Sequence, residues 1–210
     1  MQTYILLDRS GSMQDMWGEA ISSINAYVEE LKKPEPETGK VIETKVTLAT
    51  FDSHVGHMDF DVLRDGISTS AWSELSDREI SPRGMTPLFD AIGTMIQKAT
   101  EDDNEKTVIV IMTDGHENSS RELTSTSMKA LLDSVRARGW EVVFLGANFS
   151  NFRDADTLGI VASKRMAMAS GNMRDAKMAL ARKSRRYAMS LDETISFDEQ
   201  DRREAGEDRV

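Results

Sequence analysis

Five oxygen-bearing side chains in this sequence have the types and positions of a metal site. They are Asp8, Ser10, Ser12, Thr86 and Asp114. Asp8 and Asp114 each follow a short apolar run, and Thr86 stands directly before a predicted helix. Two carboxylates and three hydroxyls supply hard oxygen donors, and such donors suit Mg²⁺ or Mn²⁺ better than zinc.

Taken one at a time, these residues also have ordinary structural explanations. Ser12 is able to cap the first helix, and Thr86 followed by Pro87 is a good helix N-cap. The pair Asp114-Gly115 is common in turns. Coincidence explains the set poorly, because each member lies either just after a predicted strand or just before a predicted helix.

The elements that would position these side chains are strands and helices in alternation. Four continuous apolar runs predict strands buried on both faces, as in a parallel sheet. These runs are Thr3–Leu7, Lys45–Phe51, Thr107–Met112 and Glu141–Ala147. A fifth run, His54–Val62, follows the link Asp52-Ser53, which is too short for a crossover and predicts an antiparallel hairpin at a sheet edge.

Helical periodicity fills the intervals between the strands. Apolar stripes of period 3.6 predict helices over 17–31, 87–100, 123–138 and 173–191. The alternation predicts an α/β fold: a doubly wound, mostly parallel six-stranded sheet with one antiparallel edge strand and helices on both faces. Ligands of such sheets bind beyond the carboxyl ends of the strands, where Asp8 and Asp114 are expected.

Length and composition limit the kind of protein this is. The 210 residues indicate a single domain over 1–191, followed by a charged tail over 192–210 that is expected to be flexible. There is no cysteine, no run of about 20 apolar residues and no secretory signal pattern, so a cytoplasmic location is expected. The net charge of −10 argues against nonspecific binding to nucleic acid.

The same residues resemble a known site. Asp8-x-Ser10-x-Ser12, then Thr86 in "GMTPL" and Asp114 in "MTDG", resemble the metal-ion-dependent adhesion site (MIDAS) of von Willebrand factor type A (vWA) domains. The resemblance covers residues 3–147. Beyond it, "VVFLGANFSNFRDADTLGI", "ASGNMRDAKMALARKSRRY" and the loop "TDGHENSS" are similar to stand-alone bacterial and phage vWA proteins.

The resemblance implies a binding function and no catalysis. Ser10, Ser12 and Thr86 would offer their hydroxyls to Mg²⁺ or Mn²⁺, and Asp8 and Asp114 would act largely through bound waters. An exposed Asp or Glu of a protein partner would then displace a water from the cation. Similar cytosolic domains have AAA+ ATPases among their partners, so the resemblance includes an AAA+ ATPase as one option; no membrane partner is implied.

Two other functions stay open at the level of sequence. A haloacid-dehalogenase-like, Mg²⁺-dependent phosphohydrolase also places an aspartate at a strand end, but it needs a second aspartate where this chain has Ser10. A structural or assembly protein that never uses the metal is the other. A P-loop motif is absent, and "DRSGSM" lacks the glycines of a serine nucleophile elbow.

Histidines and a basic stretch complete the inventory. His54 and His57, three apart on a predicted strand, are expected on opposite faces, where they cannot hold one metal.

Residues 160–190 carry eight Lys and Arg and one Asp. This pattern favours a solvated helix face over 173–190, with a docking face for an acidic partner as the alternative. Nucleic acid is the least favoured ligand, since no aromatic residues are interleaved with the charges.

Overall fold

A computed structural model describes residues 1–114, 116–146, 152–169 and 171–207. Its strands are β1 Gln2–Asp8, β2 Lys45–His54, β3 His57–Ser68, β4 Thr107–Thr113, β5 Glu141–Gly146 and β6 Arg165–Ala167. Its α-helices are α1 Trp17–Leu31, α2 Leu88–Glu101, α3 Ser125–Ala137, α4 Phe152–Thr157, α5 Met173–Ala188 and α6 Glu199–Glu204. Gly115 and Ala147, which belong to the predicted site motif and the predicted fourth strand, lie outside the described residues.

The six strands form one sheet in the order β3-β2-β1-β4-β5-β6. All neighbouring strands are parallel except β2 and β3, which form the antiparallel edge. The chain moves outward from β1 in one direction through β2 and in the other through β4. The loops after β1 and β4 therefore diverge at a switch point, the usual ligand site of open α/β sheets. The predicted fold class is confirmed.

Helices cover both faces of the sheet, which explains why the strands are apolar without alternation. Ile5 and Leu7 of β1 belong to the core beneath α1 and α5. Tyr4 and Leu6, on the opposite face, belong to the core beneath α2 and α3. No helix within the described ranges combines the length and apolarity needed to span a membrane.

The hairpin between β2 and β3 turns three residues later than predicted. Its turn is Val55-Gly56, and Asp52 and Ser53 are paired within β2. His54 and His57 are consequently register partners across the turn. Directly opposed residues share one face of a hairpin, so the prediction of opposite faces is wrong.

The C-terminal segment differs from the predicted flexible tail. Ile195 and Phe197 are buried in the core, and the Phe197 amide donates to the Ser163 carbonyl at 2.8 Å. Asp198 caps α6 by accepting hydrogen bonds from two backbone amides of the first turn. Buried apolar side chains and a capped helix thus hold the segment on the domain, although its composition is mostly charged.

The basic stretch is largely neutralised within the chain. Four α5 side chains form ion pairs with acidic residues of α1 and of the C-terminal segment: Arg182–Glu204 at 2.9 Å, Lys183–Asp201 at 2.9 Å, Arg185–Glu30 at 3.2 Å and Arg186–Asp192 at 2.8 Å. Lys177 and Arg185 are buried, so the interpretation of a solvated face is wrong for these two residues.

Candidate metal centre

The loop after β1 forms the floor of the candidate site. Asp8 is fully buried at the end of β1, and its Oδ1 accepts the Ser10 amide at 2.7 Å. Its Oδ2 accepts the Thr113 hydroxyl at 2.6 Å. Thr113 ends β4, so this bond joins the two strands of the switch point and fixes the orientation of the Asp8 carboxylate.

Three of the predicted residues form a continuous chain of hydrogen bonds above this floor. Ser10 Oγ lies 3.1 Å from Ser12 Oγ, and the Ser12 hydroxyl donates to Asp114 Oδ1 at 2.8 Å. Ser10 is buried, whereas Ser12 is exposed. The oxygens therefore lead from the interior to solvent, as a site reached by a partner requires.

Thr86 lies on the loop before α2, which approaches the same edge of the sheet, here called the rim, as the loops after β1 and β4. It is buried, and its amide donates to Asn118 Oδ1 at 2.9 Å. Pro87, without a side-chain cap bond, occupies the N-cap position of α2, so Thr86 does not cap this helix. The Thr86 loop joins the first loop through its backbone, because the Gly11 amide donates to the Gly84 carbonyl at 3.2 Å.

A buried carboxylate beneath the rim connects these two loops. Asp52 accepts Arg9 Nε at 2.5 Å on one oxygen and Arg83 Nε at 3.1 Å on the other. The Arg83 amide also donates to the Arg9 carbonyl at 2.7 Å. The sequence interpretation missed this cluster, although Asp52 follows an apolar run in the same way as Asp8.

Two further carboxylates hold the loop between β4 and α3 against the start of α2. Glu117 accepts the backbone amide of Phe89, in the first turn of α2, at 2.9 Å and that of Ser120, in its own loop, at 2.7 Å. Asp90, in the first turn of α2, accepts the amides of Arg121 at 2.7 Å and Leu123 at 2.8 Å. These bonds place Asn118 beside Thr86; no local spacing in the sequence predicted them.

The electrostatics of the site favour a cation. Burial raises the pKa of Asp8 to about 6, although hydrogen bonds from Thr113 and Ser10 act in the opposite direction. Burial also raises the pKa of Asp114. Within the described residues Asp8 forms no ion pair with Lys or Arg, and the neighbouring Arg9 guanidinium turns to Asp52.

The donor set fits a hard divalent ion held mainly by hydroxyls. Across the described parts of the chain, no group of three or more His, Cys, Asp or Glu is arranged to hold a metal. The mixed hydroxyl and carboxylate set at this rim instead matches the oxygen ligands of Mg²⁺ and Mn²⁺. Within the described residues, buried Asp8 has neutral hydrogen-bond donors alone, so its charge is the one that a bound cation would compensate.

Gly84 is expected to be essential for the position of Thr86. Its φ is +71°, and a Cβ there would lie 2.3 Å from the Ser53 carbonyl oxygen and 2.8 Å from Asp52 Oδ2. We expect Gly84→Ala to lower the free energy of unfolding by more than about 1 kcal/mol, measured by urea denaturation. The control is Gly39→Ala, with a similar φ of +66° and open space around its Cβ. Equal losses in the two variants would contradict a role for the close approach.

Comparison with known proteins places this geometry in a family. Residues 3–182 match the von Willebrand factor type A domain. A search of curated proteins finds no match.

Three solved structures illustrate the likeness. The vWF domain of the type V pili tip protein Mfa5 from Porphyromonas gingivalis is 12% identical, with a TM-score of 0.65 over 94% of this chain and 97% of that one. Manganese-loaded TRAP protein from Plasmodium vivax is 15% identical, with a TM-score of 0.54 over 83% and 70%. Proximal thread matrix protein 1 from the mussel byssus, with a zinc-occupied MIDAS motif, is 15% identical, with a TM-score of 0.60 over 86% and 45%.

At these identities the structural likeness shows the fold alone, and the chain spans less than half of the mussel protein, 45% of its length. The family match is stronger evidence of membership than the structural likeness, because it extends from β1 to α5 and covers most of the chain. The protein therefore belongs to the von Willebrand factor type A family.

Proposed function

We propose that this protein binds Mg²⁺ or Mn²⁺ at Asp8, Ser10, Ser12, Thr86 and Asp114 and captures a carboxylate of a protein partner there. The observation that carries the proposal is the buried Asp8 carboxylate, whose hydrogen-bond donors among the described residues are all neutral and which lies beneath the hydroxyls of Ser10 and Ser12. A bound divalent cation would supply the missing positive charge and an electrophilic position for the partner.

Each residue has a distinct task in this proposal. Ser10, Ser12 and Thr86 would hold the cation with neutral hydroxyl oxygens, which leave most of its positive charge available. Asp8 and Asp114 would hold its coordinated waters. Thr113 keeps the Asp8 carboxylate in place through the 2.6 Å bond, and Asn118 does the same for the Thr86 backbone.

Removing one hydroxyl tests metal binding. We expect Thr86→Val to fold and to lose most of the Mg²⁺- or Mn²⁺-dependent rise in melting temperature, since a ligand that binds only the folded state stabilises it by mass action. Thr107→Val is the matched control, because Thr107 is equally buried at the opposite end of β4. A wild-type protein whose melting temperature does not respond to millimolar Mg²⁺ or Mn²⁺ would contradict the site.

Partner capture has its own readout. A protein retained from lysate by the wild type in Mg²⁺ should be lost both in chelator and with Thr86→Val, and it should present an Asp or Glu essential for binding. Retention that is equal under all three conditions would contradict carboxylate capture and support an assembly role that does not use the metal. An AAA+ ATPase stays one candidate partner by family resemblance.

The proposal includes no catalysis. A phosphohydrolase of the kind considered above needs an acidic residue at position 10, where the chain has a serine that bonds to Ser12. Hydrolysis of p-nitrophenyl phosphate in Mg²⁺ that disappeared in Asp8→Asn would overturn this part of the proposal. The cytoplasmic location also stays a prediction, because the solved relatives include a pilus tip protein; fractionation of the source cells tests it.

A further inference from the structure

A groove beside the candidate metal site has the character of a binding surface. Its volume is about 550 Å³, and it begins one residue before Thr86. Three segments line it: residues 53–56 of the β2–β3 hairpin, residues 84–85, and residues 118–121 of the loop held by Asp90. It is therefore built from the same loops that position Thr86 and Asn118.

Val55, at the hairpin tip, is both strained and exposed. Its φ is +52°, in the left-handed region that β-branched residues rarely adopt, and 83% of its surface is accessible. Asn or Gly would fit this turn position without the strain. A strained backbone that presents an apolar side chain to solvent indicates a functional contact.

Met85 presents a second apolar side chain to the same groove. It is 51% exposed, although its backbone is fixed to Ser53 by two hydrogen bonds of 2.9 and 3.0 Å. The groove therefore carries two large, exposed apolar residues on well-anchored backbone, immediately beside a proposed metal ligand.

Arg121 adds a positive charge to the groove. Its Nη2 lies 3.1 Å from the position a Cβ would have on Gly56, so the guanidinium covers the hairpin turn. Across the described ranges, no carboxylate forms an ion pair with this side chain, even though the chain carries a net charge of −10. An exposed guanidinium without a carboxylate partner in the described part of the chain is well suited to bind a carboxylate of another molecule.

We propose that this groove selects the partner by binding an apolar side chain and a second carboxylate next to the one captured by the metal. The apolar side chain packs between Val55 and Met85, and the second Asp or Glu pairs with Arg121. The occupant is thus an acidic segment of a protein partner with an apolar residue near its metal-binding carboxylate. This inference rests on the proposed function, because the first carboxylate needs the metal.

A displayed library of random peptides provides the probe. The full chain is exposed to the library in Mg²⁺, and bound peptides are eluted with chelator. We expect the eluted peptides to share two acidic residues and an apolar residue close to them. We expect the affinity for these peptides to fall about tenfold, the loss typical of an interface anchor, in each of the variants Val55→Asn, Met85→Ser and Arg121→Gln. Mg²⁺ binding should be unchanged in all three.

Val55→Asn gives a second, independent readout. Relief of the backbone strain should raise the melting temperature by about 2 to 4 °C while peptide affinity falls. Val161→Asn is the matched control, because Val161 is 61% exposed at a negative φ and lies outside the groove. It should change neither quantity appreciably.

The outcomes separate the two proposals. Peptides that need Mg²⁺ and Thr86 but bind the three groove variants normally would overturn the groove proposal and leave carboxylate capture standing. Peptides that chelator fails to release, and that bind Thr86→Val as tightly as the wild type, would overturn carboxylate capture. A library that yields no chelator-eluted peptide would contradict both.

Discussion

Asp8→Asn is expected to stabilise the metal-free protein by about 3 kcal/mol at pH 7.5 and to abolish its stabilisation by Mg²⁺. Burial raises the folded-state pKa of Asp8 from 3.8 to about 6, so the ionised carboxylate destabilises the fold without a cation. An asparagine would keep both hydrogen bonds, accepting the Ser10 amide and donating to the Thr113 hydroxyl. Urea denaturation in chelator measures the difference.

The pH dependence of this difference follows from the sign of the shift. A raised carboxyl pKa means that the folded state binds the proton more tightly. The destabilisation by the ionised Asp8 carboxylate is therefore fully present above about pH 6 and mostly gone by pH 4. Asp77→Asn, at an exposed aspartate, is the control. Equal wild-type and Asp8→Asn stabilities at pH 7.5 would contradict the cost of the buried charge, and an Mg²⁺ effect that survives in Asp8→Asn would contradict its role in the site.

Lys177→Met is expected to stabilise the protein by up to about 5 kcal/mol near pH 6. The Lys177 side chain is completely buried, its Nζ makes no hydrogen bond within the described residues, and it lies over the Tyr27 ring, 5.4 Å from the ring centroid. Burial lowers its pKa to about 7. Methionine has a similar shape and no charge to desolvate.

The stabilisation by Lys177→Met should decrease measurably as the pH rises. A lowered lysine pKa means that the unfolded state binds more protons, so wild-type stability should rise from pH 7 toward pH 10.5 and the advantage of Lys177→Met should shrink. Lys129→Met, at an exposed lysine paired with Asp133, should change stability by less than about 1 kcal/mol. A destabilised Lys177→Met would show that the ammonium has a favourable role in the core.

The sheet was predictable because most of its strands are buried on both faces and therefore read as continuous apolar runs. The sixth strand could not be located, because the three residues Arg165–Ala167 are held by pairing with β5 and not by a pattern of their own. The C-terminal segment was missed for a related reason. Ile195 and Phe197 are two apolar residues among charges, and only tertiary packing reveals that they are buried.

The candidate site was predictable where residue type and strand ends carried the information, as for Asp8, Ser12 and Asp114. The supporting contacts join positions far apart in the sequence, such as Arg83 with Asp52, and no local spacing encodes them. Lys177 is a different case. It lies four residues after Met173 on α5, on the apolar stripe, so the periodicity already indicated a buried position that its charge obscured.

The carboxylate of Asp52, shared by Arg9 and Arg83, should limit the size of the cation that the site accepts. The two loops that carry Ser10, Ser12 and Thr86 are tied to one buried group and to each other, so their separation is set before any cation arrives. Such loops are poorly able to spread for the six to eight ligands at about 2.3–2.6 Å that Ca²⁺ takes. The rim should therefore discriminate by size, favouring small octahedral ions over Ca²⁺ even where both are abundant.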